Sequence, residues 1–297
     1  MITNITLDNE LSSVVYGELY ATTYSKEEDN YNMEIFMDFT NERVKVLNYH
    51  GNDFAGMISY LKFIAQKNNF SKILFNVREQ DWNQNEFPGF EPEARIPSLF
   101  NGEVGILLSS FLKQERRENK NFDEEEKIIQ LTSKVQPEES SSLSSKYVIR
   151  VCDENDIDQL VDLYSTVFST YPTPLDSEQY VQHLMADNVV FLGIFDDGKL
   201  VSAASGEMDK EIKAAEMTDC ATLPEYRGKG FMQVLISLLE VEMQNRGIIT
   251  LFTLARAMST GMNMVFKKAG YEYCGRMVNN CHICGKFEDM NVWSKIV

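Results

Sequence analysis

Arg227-Gly228-Lys229-Gly230 is the stretch whose residue types and spacing bear most directly on chemistry. It follows a strand-like segment, Ile212 to Leu223, and opens straight into an apolar helical repeat, Phe231 to Arg246. A strand, a glycine turn with basic residues and a helix together make an anion site. The unpaired N–H groups of the first helical turn point at the ligand, the helix dipole adds partial positive charge, and glycine lets the backbone come close. The competing reading is an ordinary exposed basic turn. A second candidate cluster is Cys281-His282-Ile283-Cys284, with Cys274 seven residues earlier. Zinc wants four ligands in two spaced pairs, and this is one pair, so the expectation is small buried residues in a strand connection and no metal.

The elements that must position the turn are legible around it. Tyr147 to Val151 reads as a strand, and Asp153 caps a helix with Ile157, Leu160, Val161, Tyr164 and Val167 at helical spacing. A second helix starts at Asp176. Asn188 to Phe195 and Leu200 to Met208 flank Asp196-Asp197-Gly198-Lys199, a hairpin signal. After the turn and its helix come a strand from Ile248 to Leu254, a helix ending near Ala269-Gly270, and strands Tyr271 to Asn279 and Asp289 to Ile296.

That order of elements resembles the GNAT superfamily of N-acetyltransferases over roughly residues 147 to 297. The stretches Glu216-Met217-Thr218-Asp219-Cys220-Ala221-Thr222 through Gly230, Ala255-Arg256-Ala257-Met258-Ser259-Thr260-Gly261-Met262-Asn263 and Asn291-Val292-Trp293 are similar to the β-lysine N6-acetyltransferases. Gly89-Phe90, Ile96-Pro97 and Phe100-Asn101-Gly102 in the first half resemble them too. The resemblance implies an α/β (α+β) GNAT fold, with a central mixed, mostly antiparallel sheet flanked by helices. It implies acetyl-CoA as co-substrate, its pantetheine arm along Cys220 and Thr222 and its pyrophosphate on the amides of Arg227, Gly228, Lys229, Gly230, Phe231 and Met232. Asn263 would face it from the following helix. Met232 stands where the superfamily has a small residue and would crowd the phosphates; Phe266 stands where it has a tyrosine acid. The implied acceptor is the terminal amine of 3,6-diaminohexanoate, and the implied product a solute accumulated against salt stress.

A primary amine with a pKa of about 10.4 must lose a proton before it attacks a thioester. Glu216 lies on the strand leading to the turn, in a stretch similar to that carrying the catalytic glutamate of histone lysine acetyltransferases, and is the expected base. Asp219, three residues on, has the opposite strand parity and faces the same side only if the strand bulges there. A substrate carboxylate would want a guanidinium, for which Arg256 and Arg276 are the candidates. Tyr271 and Tyr273 are candidates to protonate the departing thiolate.

Composition narrows the class. The 297 residues carry 45 acidic against 28 basic side chains, a formal charge of −17, which disfavours nucleic acid and anionic membrane as partners. No apolar run is long enough to cross a bilayer, and Met1 to Glu10 lacks the pattern of a secretion signal. With five cysteines, an odd count, the default compartment is the cytoplasm. The expected partner is a small-molecule amine, and a homodimer is left open.

Residues 1–112 read as a smaller α/β domain, 113–146 as a charged and serine-rich linker, and 147–297 as the acetyltransferase domain. A faint repeat relates Phe70 through Arg78 to Ile248 through Arg256, and Gly89 through Arg95 to Gly270 through Arg276. The first domain is then a degenerate acetyltransferase-like unit or an unrelated cap. Three functions compete: acetylation of a small diamino acid, acetylation of another amine (polyamine, lysine or protein lysine), and acetyl-CoA sensing without turnover.

Overall fold

A computed structural model gives the structure of residues 2–9, 11–16, 19–138, 140 and 143–297. Residues 17 and 18, within Val14 to Tyr24, whose β-branched and aromatic residues predict a strand, and 139, 141 and 142, in the serine-rich stretch, lie outside the described residues. The first half runs β1 (Ile2–Thr6), β2 (Ser12–Tyr16), β3 (Ala21–Glu28), β4 (Tyr31–Asp38), β5 (Arg43–Gly51), α1 (Phe54–Lys67), β6 (Lys72–Arg78), β7 (Glu91–Phe100) and β8 (Glu103–Phe111). Two helices follow, α2 (Gln114–Arg117) and α3 (Phe122–Thr132). The second half runs β9 (Tyr147–Val151), α4 (Ile157–Val167), α5 (Glu178–Ala186), β10 (Val189–Asp196), β11 (Lys199–Asp209), β12 (Ala214–Thr222), α6 (Phe231–Asn245), β13 (Thr250–Arg256), α7 (Thr260–Lys268), β14 (Glu272–Ile283) and β15 (Lys286–Ile296). No helix among these is long and apolar enough to cross a membrane.

Apart from the β1–β2 hairpin, the strands form one 13-stranded sheet, ordered β3-β4-β5-β6-β8-β7-β14-β15-β13-β12-β11-β10-β9. Read from either side of the β7–β14 junction, the six nearest strands have the same connectivity. Each half has one parallel pair, β5–β6 and β12–β13, bridged by a crossover helix, α1 or α6. The junction is a single pair, Gly275 opposite Ala94, the positions the sequence repeat makes equivalent. A two-fold pseudo-axis therefore runs through that pair. Gly275 has φ +143, and a Cβ there would stand 2.2 Å from the carbonyl oxygen of Glu93, so only glycine lets the halves meet.

Each half buries its own apolar cluster. That of the first packs α1 through Met57, Leu61 and Ile64, and that of the second packs α4 and α6 through Leu160, Leu235 and Leu239. A third cluster joins Leu74, Ile96 and Leu107 to Ala214, Met290 and Val292 between the halves. Polar groups fix its edges. Lys72, fully buried, pairs with Glu93 at 2.7 Å and donates to the carbonyl of Val278, while Arg43 pairs with Asp38 and donates to the carbonyl of Asn280.

The segment expected as a linker is partly a packed element. α3 buries Glu125, Ile128 and Thr132 and lies against α7, and Glu138 pairs with Lys268. Its contacts are largely ionic, so no apolar periodicity announces them.

Candidate active site

β12 and β13 pair only over Ala214–Glu216 and Thr250–Phe252, and then part. Glu216 thus stands at the apex of an opening between two parallel strands. Beyond it, Ser205 of β11 faces Thr218 but Ala203 faces Ala221, so two residues, Asp219 and Cys220, lie against one. This is a β-bulge, and Asp219 takes φ +50 to make it. The bulge turns Asp219 onto the face that carries Glu216. There its carboxylate accepts from Ser205 Oγ at 2.6 Å and Tyr171 OH at 3.1 Å, and its carbonyl accepts from Tyr164 OH at 2.9 Å. Simple alternation would have placed the two carboxylates on opposite faces.

Glu216 lies directly across from Glu207 in the β11–β12 ladder. Burial, with Glu207 second, pushes its pKa up to about 7, and Lys45 and Arg43 of the opposite half act against that rise. Burial also raises Asp219 to about 6, held down in part by the Ser205 and Tyr171 hydroxyls. A carboxylate poised near neutrality can remove a proton at physiological pH. On the same side, a cavity of about 600 Å³ opens between the α4–α5 loop and the first half, lined by Tyr20, Thr40, Phe168, Tyr171 and His282 among others. Tyr164 and Tyr171 form its wall toward Asp219.

The glycine turn lies beyond the C-terminal end of β12. Gly228 and Gly230 have φ +76 and +78, and a Cβ on either would meet no atom within 4 Å. Gly230 is the N-cap of α6 and offers no side chain to the helix end. Among the described residues no protein acceptor faces the amides from Gly228 to Gln233. Arg227 donates to the carbonyl of Thr222 at 3.2 Å, and Lys229 lies 4.4 Å from the Tyr226 ring. Met232 does not crowd the turn, because its side chain is buried in the core with Phe231 and Leu235. The turn thus has the free donors and open space that a pyrophosphate needs. Cys220 and Thr222 line β12 between the apex and the turn, Thr222 sharing a 2.7 Å hydrogen bond with Ser202.

Other expected site residues fall elsewhere. Asn263 is fully buried; its amide donates to the carbonyls of Arg256 and Ser259, and its oxygen accepts from Asn291 and Trp293. With every polar atom engaged, its side chain ties α7 to β13 and β15 and does not face a cofactor. Arg276 is held by Glu125, Glu126 and Asn291, so its charge is already matched and it is not open to a substrate carboxylate. Arg256 ends β13 on the face of Phe252 and Leu254, part-exposed. Tyr271 is packed edge-on against Phe266, and Tyr273 against Trp293. His282 packs edge-on against Phe287, and among the described residues no three metal-ligating side chains converge. Sequence reasoning missed Glu207, Ser205, Tyr164, Tyr171 and Lys45. The register of the β11–β12 hairpin could have flagged Glu207; nothing local marks the rest.

A family model described as "Acetyltransferase (GNAT) family" matches residues 157–271. The chain is 36% identical over 258 residues to N-acetyltransferase YodP of Bacillus subtilis, covering 87% of this chain and 94% of that protein. It is 34% identical over 256 residues to a beta-lysine N(6)-acetyltransferase of Methanococcus maripaludis, covering 86% and 93%. Among solved structures, a putative acetyltransferase from Salmonella typhimurium with its cofactor acetyl-CoA is 16% identical, with a TM-score of 0.44, over 51% of this chain and 94% of that one. Relatives of this identity, matched over nearly their whole length, together with the parted strands and the free helix end, leave one assignment: the chain belongs to the GNAT family of acetyltransferases.

Proposed function

We propose that this amine N-acetyltransferase transfers the acetyl group of acetyl-CoA to the terminal amine of 3,6-diaminohexanoate. The observation that carries the reading is the placement of Glu216 at the apex of the β12–β13 opening, with the unpaired amides of the glycine turn beyond the far end of the same strand. Gly228 to Met232 would hold the pyrophosphate, and the unpartnered edge of β12 would take the pantetheine arm as a sheet takes an added strand. When bound, acetyl-CoA supplies the activated acetyl group. Glu216, facing Glu207, draws the ammonium group of the acceptor and removes its proton, and Asp219 with Tyr171 and Ser205 fixes the bulge that aims this face. A departing thiolate, with a pKa near 8.5, needs little help, which suits a site with Phe266 in place of an acid. The beta-lysine N(6)-acetyltransferase among the relatives supports the acceptor.

We further propose that the first half is a degenerate copy that binds no acetyl-CoA. Where the second half has its glycine turn, the first has Asp53, whose carboxylate caps α1 by accepting from Gly56. The place where β5 and β6 part is filled by Tyr49, Phe54, Phe75 and Phe87, and Tyr49 accepts there from the amide of Arg78.

A thiol-release assay over free amines tests the acceptor. 3,6-Diaminohexanoate should exceed lysine and cadaverine in kcat/KM by roughly 5- to 150-fold, the range for leaving one charged partner unsatisfied. A better rate with cadaverine or a peptide lysine would remove the diamino acid reading, and binding without release on any amine would point to a sensor.

A further inference from the structure

Lys45 occupies the place in the first half that Glu216 occupies in the second. Lys45 lies opposite Leu74 and Glu216 opposite Phe252, two partners that the sequence repeat makes equivalent; Glu216 is the last pair before its strands part and Lys45 the last but one. β5 presents this face to the other half. Two residues before Lys45, Arg43 donates to the carbonyl of Asn280 at 2.8 Å; past an irregularity in the β4–β5 ladder, Asn48 donates to Glu211 at 3.3 Å, on the turn leading into β12. The strand is therefore held against the second half on both sides of Lys45. Its neighbour Leu74 packs with Ala214 and Phe252, the neighbours of Glu216.

The cations at this junction are otherwise committed: Arg43 to Asp38, Lys72 to Glu93, Arg276 to Glu125 and Glu126. Lys45 differs. It is part-buried, its ammonium lies 6.0 Å from the Phe36 ring centroid, and among the described residues no carboxylate stands within 4.0 Å of it. A half-buried cation without a partner is costly unless a ligand supplies the anion. On the facing strands two carboxylates, Glu207 and Glu216, stand side by side, and among the described residues neither has an ion pair within 4.0 Å. The facing surfaces are thus negative on β11–β12 and positive on β5, the complement of a zwitterion with an amine at one end and a carboxylate at the other.

We propose that Lys45 binds the acceptor's carboxylate across the cleft from Glu216, so that the first half supplies the specificity of the reaction. This rests on the diamino acid reading given above. Arg256 lies four residues past Phe252, on the order of 13 Å along β13 from the apex.

The test measures kcat/KM for 3,6-diaminohexanoate and for cadaverine, which lacks the carboxylate, in wild type, Lys45→Met and Lys45→Arg, with thermal melts to confirm folding. At a pH well above the Glu216 pKa, where that carboxylate is ionised with or without Lys45, Lys45→Met should lose roughly 10- to 100-fold toward the diamino acid, mostly through KM, while cadaverine changes by no more than about twofold and Lys45→Arg keeps most of the preference. If Lys45→Met lowers both acceptors equally, or leaves the wild-type preference intact, the assignment of Lys45 is overturned and the diamino acid reading stands. A wild type that does not prefer the diamino acid overturns that reading and this inference with it.

Discussion

In the proposed reaction Glu216 removes the acceptor's proton, and its surroundings set two measurable properties. With its pKa raised to about 7, kcat/KM should fall below neutral pH as the carboxyl takes up its proton. Glu216→Gln should lower turnover by roughly 10² to 10⁴, with partial recovery at high pH as free amine becomes available. A variant as active as wild type near pH 7 would move the role to Asp219. The same shift affects stability. A carboxyl whose pKa is higher folded than unfolded binds its proton more tightly in the native state, so the stability it adds is full below about 4.5 and is lost as pH rises through about 7. Between pH 5 and 8 the melting temperature of wild type should therefore drop further than that of Glu216→Gln, by the equivalent of 1 to 3 kcal/mol on the order of the shift. Equal drops would show that Glu216 titrates normally. Glu216 could be singled out from the sequence because its neighbours resemble a strand that carries a catalytic glutamate. The shared face of Asp219 depended on a bulge that alternation alone does not reveal, and Lys45 lies 171 residues from its counterpart, beyond the reach of any local pattern.

At the scale of elements, two glycines carry the strongest tests. Gly230 sits at φ +78 with open space around it, so Gly230→Val should cost about 1 to 2 kcal/mol in stability, fold normally and lose acetyl-CoA binding, read by calorimetry. Undiminished affinity would move the anion site elsewhere. Gly275 is the opposite case, because any Cβ meets the backbone of the other half. Gly275→Val should lower the unfolding free energy by several kcal/mol or let the halves unfold separately, seen as a second denaturation transition. A single transition at the wild-type midpoint would mean the sheet junction bears little of the stability. The helices α1, α4 and α6 and most strands were legible from apolar periodicity, since each buries one stripe or face. α3 was not, because what it buries includes Glu125 against Arg276, and charge pairing across distant segments leaves no periodic trace.

For the whole molecule, the near-palindromic strand order means that one architecture occurs twice while one copy keeps the glycine turn. Calorimetric titration should accordingly give one acetyl-CoA per chain; two would contradict the plugged cleft between β5 and β6. The repeat was faint in the sequence because the segments that would carry a cofactor are those in which the copies differ most, Asp53 standing where the second half has its glycines. The paired carboxylates Glu207 and Glu216 belong to one half and Lys45 to the other, so the proposed acceptor site belongs to neither copy alone. The most direct test of the account is the identity of the product. The protein incubated with acetyl-CoA and 3,6-diaminohexanoate should release one thiol for each acetyl group transferred, and NMR should place that group on the C6 nitrogen. Acetylation at the C3 nitrogen, or thiol release without acetylated product, would contradict it.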